Sequence, residues 1–144
     1  MKITDNGPQP NAFDLETGTV ENSHYRTVAW TGRYLQVTLM SIPPGSSIGL
    51  EAHPETDQFL RLDAGQGHVT MGPTEDNLTF QLDVTDGWSV QVPAGTWHDV
   101  INTGSAPVTP QLYLQLVRDG NKPPGESSFY STFTGPAIFT EAKK

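Results

Sequence analysis

Gly87-Trp88-Ser89-Val90-Gln91-Val92-Pro93-Ala94-Gly95-Thr96-Trp97-His98-Asp99-Val100-Ile101-Asn102 is the stretch whose reading decides the fold. Trp88, Val90 and Val92 alternate with Ser89 and Gln91, the period of a strand with one buried face. Pro93-Ala94-Gly95 then supplies turn chemistry, and a second apolar run follows at residues 97–101. Trp88 and Trp97 are expected to fill the core. His98 falls on the strand just past the turn.

Working outward, the same rhythm of short runs and turns continues. Tyr34 to Ile42 is rich in β-formers and stops at Pro43-Pro44-Gly45. Further strands are expected near residues 47–53, 58–63, 67–71, 78–84 and 111–117. The breaks carry Asp63-Ala64-Gly65, Gly72-Pro73, Asp86-Gly87 and Asn102-Thr103-Gly104. Gly (14) and Pro (12) supply this punctuation. No helical period is found in residues 25–117, so the expected fold is all-β: a sandwich, jelly roll or barrel. With 144 residues, one domain is expected. It divides into an N-terminal arm and early strand (1–32), a barrel (33–117), and a C-terminal tail (118–144). Residues 1–24 read as an extended arm. The tail carries Phe129, Tyr130, Phe133 and Phe139 and is expected to pack on the barrel or on a partner.

Composition removes several classes of function. There is no cysteine, which excludes disulfides, thiolate metal sites and thiol nucleophiles and suits a cytoplasmic location. A formal net charge of −8 and the lack of a basic cluster argue against nucleic acid. No apolar run reaches the length of a membrane span, and Met1 to Pro10 has no secretory character. An anionic ligand would need a local cation, either a metal or a buried arginine.

Two segments carry the chemistry. The first reads Gly45, five residues, Glu51-Ala52-His53, four residues, Gln58, six residues, Gly65. The second reads Gly87, five residues, Pro93-Ala94-Gly95, two residues, His98, three residues, Asn102. Together they resemble the paired motifs of the cupin superfamily. The second matches at every defined letter. The first keeps every spacing, but has Glu51 and Gln58 where the family has histidine and glutamate. Glu51 and His53 are two apart, so on a strand they share a face. Gln58 would open the returning strand, and Asn102 would close a turn with its amide.

The resemblance implies a double-stranded β-helix, or jelly-roll barrel, around a divalent ion (Fe, Mn, Ni or Zn). Carried over by position, the metal ligands would be Glu51, His53, Gln58 and His98. The carboxylate has moved from one family position to another, and an amide fills the vacancy, so the net charge of a loaded site is unchanged. Glu51, His53 and His98 alone form a two-histidine-one-carboxylate set suited to iron(II) or manganese. Asp57 is a rival to Gln58, since some cupins use a shorter gap, but strand parity and the spacing to Gly65 favour Gln58. His68 is read as a surface or outlying residue, His24 as structural, and Arg61 as pointing away from the site.

The function implied is that of a metal-binding cupin acting on a small molecule. It would be an isomerase, lyase or dioxygenase for a sugar or a carbonyl or enol compound. Glu51 and Gln58 are the catalytic candidates. The alternative is a non-catalytic cupin that binds a small ligand. A homodimer is expected, because Tyr25, Val28 and Trp30 are too apolar for a free arm and an open sheet edge invites pairing.

Overall fold

Leu112, Leu114 and Leu116 are completely buried, as expected of a strand with one face lining an interior. The computed structural model describes residues 2–104 and 111–119, and these leucines lie in its last strand. In chain order the elements are α1 (Leu15–Glu21), β1 (Arg26–Thr31), β2 (Leu35–Ile42), β3 (Gln58–Ala64), β4 (Gln66–Gly72), β5 (Phe80–Thr85), β6 (Ser89–Val92), β7 (Trp97–Asn102) and β8 (Leu112–Asp119). One antiparallel sheet runs β1-β2-β8-β3-β6 and a second runs β5-β4-β7. The inward faces meet in one apolar cluster that includes Met40, Leu60, Leu62, Val69, Val90 and Val100. Two sheets closed over such a core form a jelly-roll β-barrel.

The interior changes character from one end to the other. At one end Ile42 pairs with Leu112, and Leu62 with Leu114. At the other, Gln36 pairs with Arg118, which in turn pairs with Gln58. Cross-strand partners share a face, so these three buried polar side chains form a row across β2, β8 and β3. This is the end where chemistry can occur.

The turns are built from glycine where the backbone demands it. Gly65 carries the chain from β3 to β4 at φ 101°, a conformation L side chains rarely adopt. A Cβ there would also lie 2.7 Å from the Gln111 carbonyl oxygen.

Four expectations need correction. The arm is not wholly extended, because residues 15–21 form α1. Asp14 caps it, accepting from the Thr17 amide and hydroxyl at 3.1 and 2.8 Å. The helix packs against β2, β3 and β8. Leu39 on β2 is fully buried without joining the interior cluster. Residues 47–53 are not a strand; only isolated bridges, Ser47 with Ile101 and Glu51 with His98, join them to β7. Gly49, at φ 99°, breaks the ladder between the bridges. Trp88 does not fill the core. Its backbone closes the turn before β6, accepting from the Leu62 amide and donating to Thr85, and its side chain is 43% exposed. Trp97 is half-buried on the outward face of β7, opposite His98. The strand expected at 111–117 runs on to Asp119. The tail aromatics Phe129, Tyr130, Phe133 and Phe139 lie outside the described residues.

Candidate metal centre

β7 alternates strictly, with His98, Val100 and Asn102 buried between half-buried Trp97, Asp99 and Ile101. His98 therefore points inward, and its side chain is only 1% exposed. Glu51 is fixed beside it by a reciprocal pair of backbone bonds. The Glu51 amide donates to the His98 carbonyl at 3.1 Å, and the His98 amide to the Glu51 carbonyl at 2.9 Å. His53 is anchored by its own carbonyl, which accepts from the Gly95 amide at 2.8 Å. Gly95 can offer that amide because it sits at φ 82° in the Pro93–Thr96 turn. The motif's turn thus holds a residue of the other motif in place. At the far end of β7, Asn102 donates its side-chain amide to the Ile42 carbonyl at 2.8 Å and accepts from the Gly104 amide at 2.7 Å.

The side chains converge. One ligand atom from each of Glu51, His53 and His98 lies within 4.8 Å of the others. Glu51 Oε2 is 3.2 Å from His53 Nε2 and 3.8 Å from His98 Nε2. Donors at about 2.0–2.3 Å from a shared ion would stand about 3–4.5 Å apart, so the spacing suits one ion. Gln58 opens β3, is buried, and places its Nε2 3.2 Å from His98 Nε2. Its Oε1 is buried with no hydrogen-bond partner among the described residues. An amide turned by half a rotation exchanges those two atoms and aims an oxygen donor at the cluster. Asp57 does not join in; it is exposed, and its Oδ1 accepts from the Ala94 amide at 2.9 Å.

The tautomer of His98 also fits a ligand. Its Nδ1 lies 3.0 Å from the Thr96 carbonyl oxygen. That oxygen can only accept, so Nδ1 carries the proton and Nε2 keeps its lone pair toward the cluster. Burial holds His98 below its usual pKa. Burial also pulls His53 down to about 3, with Arg118 and His98 adding to the effect and Glu51 opposing it. Both imidazoles are therefore neutral at neutral pH, the form that binds metal.

Arg118 was not singled out by the sequence. It is buried on β8, with Nη1 at 2.5 and 2.7 Å from the two ring nitrogens of His53. Burial lowers the basicity of Arg118 and of Arg26 on β1, and Glu51 acts against this in both. A guanidinium starts from above ~12 and keeps its proton inside proteins. The missed signal was parity: the alternation Leu112, Leu114, Leu116 continues to Arg118. Arg61, as expected, points away and pairs with Asp63. His68 sits on the outer side of β4, with Nδ1 2.8 Å from Asp83 and Nε2 3.1 Å from Gln81. His24 is exposed. A cavity of about 500 Å³ lies against the first sheet, lined by the exposed Leu35, Asp57, Phe59 and Gln91 together with Val117 and Arg118 among others; Glu51, His53 and His98 do not border it.

Known proteins share this architecture. The Cupin domain family (Cupin_2) matches residues 38–109. The uncharacterised protein YrkC of Bacillus subtilis is 50% identical over 108 residues, 75% of this chain and 58% of YrkC. This chain thus spans little more than half of that relative's length. An uncharacterised protein of Acanthamoeba polyphaga mimivirus is 32% identical over 121 residues, 84% of this chain and 72% of the relative. A Bacillus halodurans protein of known crystal structure superposes with a TM-score of 0.77 at 45% identity, covering 88% of this chain and 91% of the other. With the barrel, both motif turns and the inward Glu-His-His cluster in place, this chain belongs to the cupin family.

Proposed function

We propose that the protein is a metal-dependent enzyme acting on a small carbonyl or enol compound, by isomerisation, elimination or oxygenation. The observation that supports this most directly is the convergence of Glu51, His53 and His98 within 4.8 Å of one another beside the buried polar row of the barrel. These three residues would hold the ion, with Gln58 as a weak fourth donor or a contact to substrate. When bound, a divalent ion supplies Lewis-acid polarisation of a carbonyl oxygen.

The chain's own groups do the rest. Thr96 holds the His98 ring in one orientation through Nδ1. The neighbouring apolar residues Leu60, Val92 and Leu116 exclude water, which strengthens every polar contact at the site. Glu51 is the carboxylate of the cluster and the candidate to carry a proton to or from substrate.

The test is to load the protein separately with iron(II), manganese, nickel and zinc. Each form is then incubated with a panel of sugars, ketoacids and enediols in D₂O. Metal-dependent C–H exchange or oxygen uptake that disappears in His98→Ala is the expected result. Ligand binding with no turnover by any metal form would instead favour a non-catalytic binding protein.

We also infer a homodimer. Val37, Val117 and Phe59 lie in register across β2, β8 and β3 on the outward face, and Leu35 beside them is exposed. A second copy of this face would cover them.

A further inference from the structure

Each sheet ends in a free strand, and two of these edges share one cleft. Among the described residues β6 closes the first sheet and β5 the second, each paired on one side only. Between them lies a cavity of about 230 Å³, lined by Val69, Met71, Phe80, Leu82 and Val90 among others. Phe80 and Leu82 lie on the same face of β5 as buried Val84, yet both are exposed. The apolar interior is therefore open along this seam. The edge of β6 is also ready to pair. The Leu62 amide donates to the Trp88 carbonyl. By the alternation of an antiparallel ladder, Val90 and Val92 then bond β3, while Ser89 and Gln91 turn their amides and carbonyls toward the edge. Neither has a backbone partner on that side among the described residues. Ser-Val-Gln-Val carries no charge and no proline, the devices that keep edge strands from pairing.

Chain direction points to what covers this edge. β8 and β6 both run antiparallel to β3, so they are parallel to each other. The chain leaves β8 where Arg118 pairs with Gln58, and Gln58 pairs on its other side with Val92, the last residue of β6. A segment that turns back there runs antiparallel to β6. Pro123-Pro124-Gly125 supplies turn chemistry at that point. Residues 120–127 can span roughly 26 Å, and the outer side of β6 is three strand spacings, about 14 Å, from β8. The run from Ser128 to Thr134 is uncharged and rich in β-formers, and an extended chain puts Phe129, Ser131 and Phe133 on one face.

We propose that residues 128–134 of the chain's own C-terminal segment add as an antiparallel strand to the free edge of β6, with Phe129 and Phe133 turned into the cleft between β5 and β6. The outward amides and carbonyls of Ser89 and Gln91 then gain partners, and the two rings cover Phe80 and Leu82. The short tether favours the chain's own segment over that of a second copy.

The chain has no cysteine, so an introduced pair reads cleanly. Gln91→Cys is combined in turn with Tyr130→Cys, Thr132→Cys and Thr134→Cys, and with Ser131→Cys, which the proposal turns to the opposite face. Each protein is oxidised and run on a denaturing gel without reductant. Hydrogen exchange of residues 89–92 and 127–134 is followed by mass spectrometry in the wild-type protein and in the double variant Phe129→Ser, Phe133→Ser. A cross-link within one chain is expected from at least one of the first three pairs and none from Ser131→Cys. The wild-type tail amides should exchange at least about tenfold more slowly than in an unfolded chain, and the double variant should speed exchange of both segments by about tenfold. Absence of any cross-link, an equal cross-link from Ser131→Cys, or an unprotected tail would overturn the proposal. Cross-links only between chains would give the edge to the tail of a second copy and overturn the assignment to the chain's own. A protected tail with exchange of 89–92 unchanged in the double variant would place the tail elsewhere and overturn it too. If the double variant does not fold, the cross-links and the wild-type exchange still decide.

Discussion

His98 is held by a hydrogen bond donated from its Nδ1. That nitrogen faces the Thr96 carbonyl at 3.0 Å, which fixes the tautomer, and Nε2 lies 3.2 Å from the Gln58 amide. Glu51 would supply the negative charge that a dication needs in a poorly solvated site. Changes in outlying groups alone cost about 10- to 100-fold in metal affinity. Glu51→Gln, which removes a direct carboxylate, should therefore cost at least about tenfold, as read by competition with a fluorescent chelator. A second prediction follows from burial of the histidines. An unfolded chain takes up protons near the ordinary histidine value of 6.5, whereas folded His53 resists until about 3 and folded His98 is shifted the same way. Each contributes stability that is present above about pH 6.5 and is lost as the pH falls below it, by up to about 1.4 kcal/mol per pH unit. The urea midpoint of metal-free protein should thus fall between about pH 7.5 and 5. His68 works in the opposite sense, since its bonds to Asp83 and Gln81 raise its pKa. The His68→Gln protein should show at least as steep a fall. A flat midpoint would mean that the two inner histidines are not buried as described. At this scale the sequence was informative where spacing and parity agreed, as for Glu51, His53, Gln58 and His98. It was uninformative for Arg118, because the strand was expected to end at residue 117. An arginine beyond a strand end looks like a solvated charge, and only the register with Gln58 turns it inward.

The elements stand on alternation and on turns. Leu60 is completely buried in the interior cluster, and Leu60→Ala should destabilise the fold by about 2–5 kcal/mol, measured by chemical denaturation. Gly65→Ala combines a left-handed backbone with a close carbonyl. It should cost about 1–3 kcal/mol, while Gly→Ala at an exposed, unstrained position would change little. A loss below ~0.5 kcal/mol would contradict the turn described. Strands β2 to β8 were legible because each is a short run between turn residues, with a clear two-residue alternation in residues 88–92. The segment 47–53 was misread for a physical reason. Its Glu51 and Ser47 do bridge to β7, so side-chain direction is strand-like, but Gly49 interrupts the ladder. The short α1 was hidden because its seven residues, Leu15–Glu21, are too few to display a helical period. Its signal was the Asp14 cap with Thr17 three positions on, which is weak without the packing that stabilises the helix.

For the molecule as a whole, the two ends of the barrel do separate tasks. One end of the interior is apolar, and the other gathers Gln36, Gln58, Arg118 and the Glu-His-His cluster. If the outward row of Val37, Val117 and Phe59 is covered by a second copy, light scattering at micromolar concentration should give about twice the 15.7 kDa of one chain. A mass that stays near 15.7 kDa as the sample is concentrated would contradict the dimer. The central claim, however, is that this end of the barrel holds a divalent ion. The most direct measurement is elemental analysis of protein purified without an affinity tag or chelator, repeated after dialysis against iron(II), manganese, nickel and zinc salts. The expected result is about one ion per chain in the wild-type protein and loss of most of it in a folded His98→Ala variant. Wild-type protein that takes up none of these metals, or His98→Ala protein that keeps its full complement, would contradict the account.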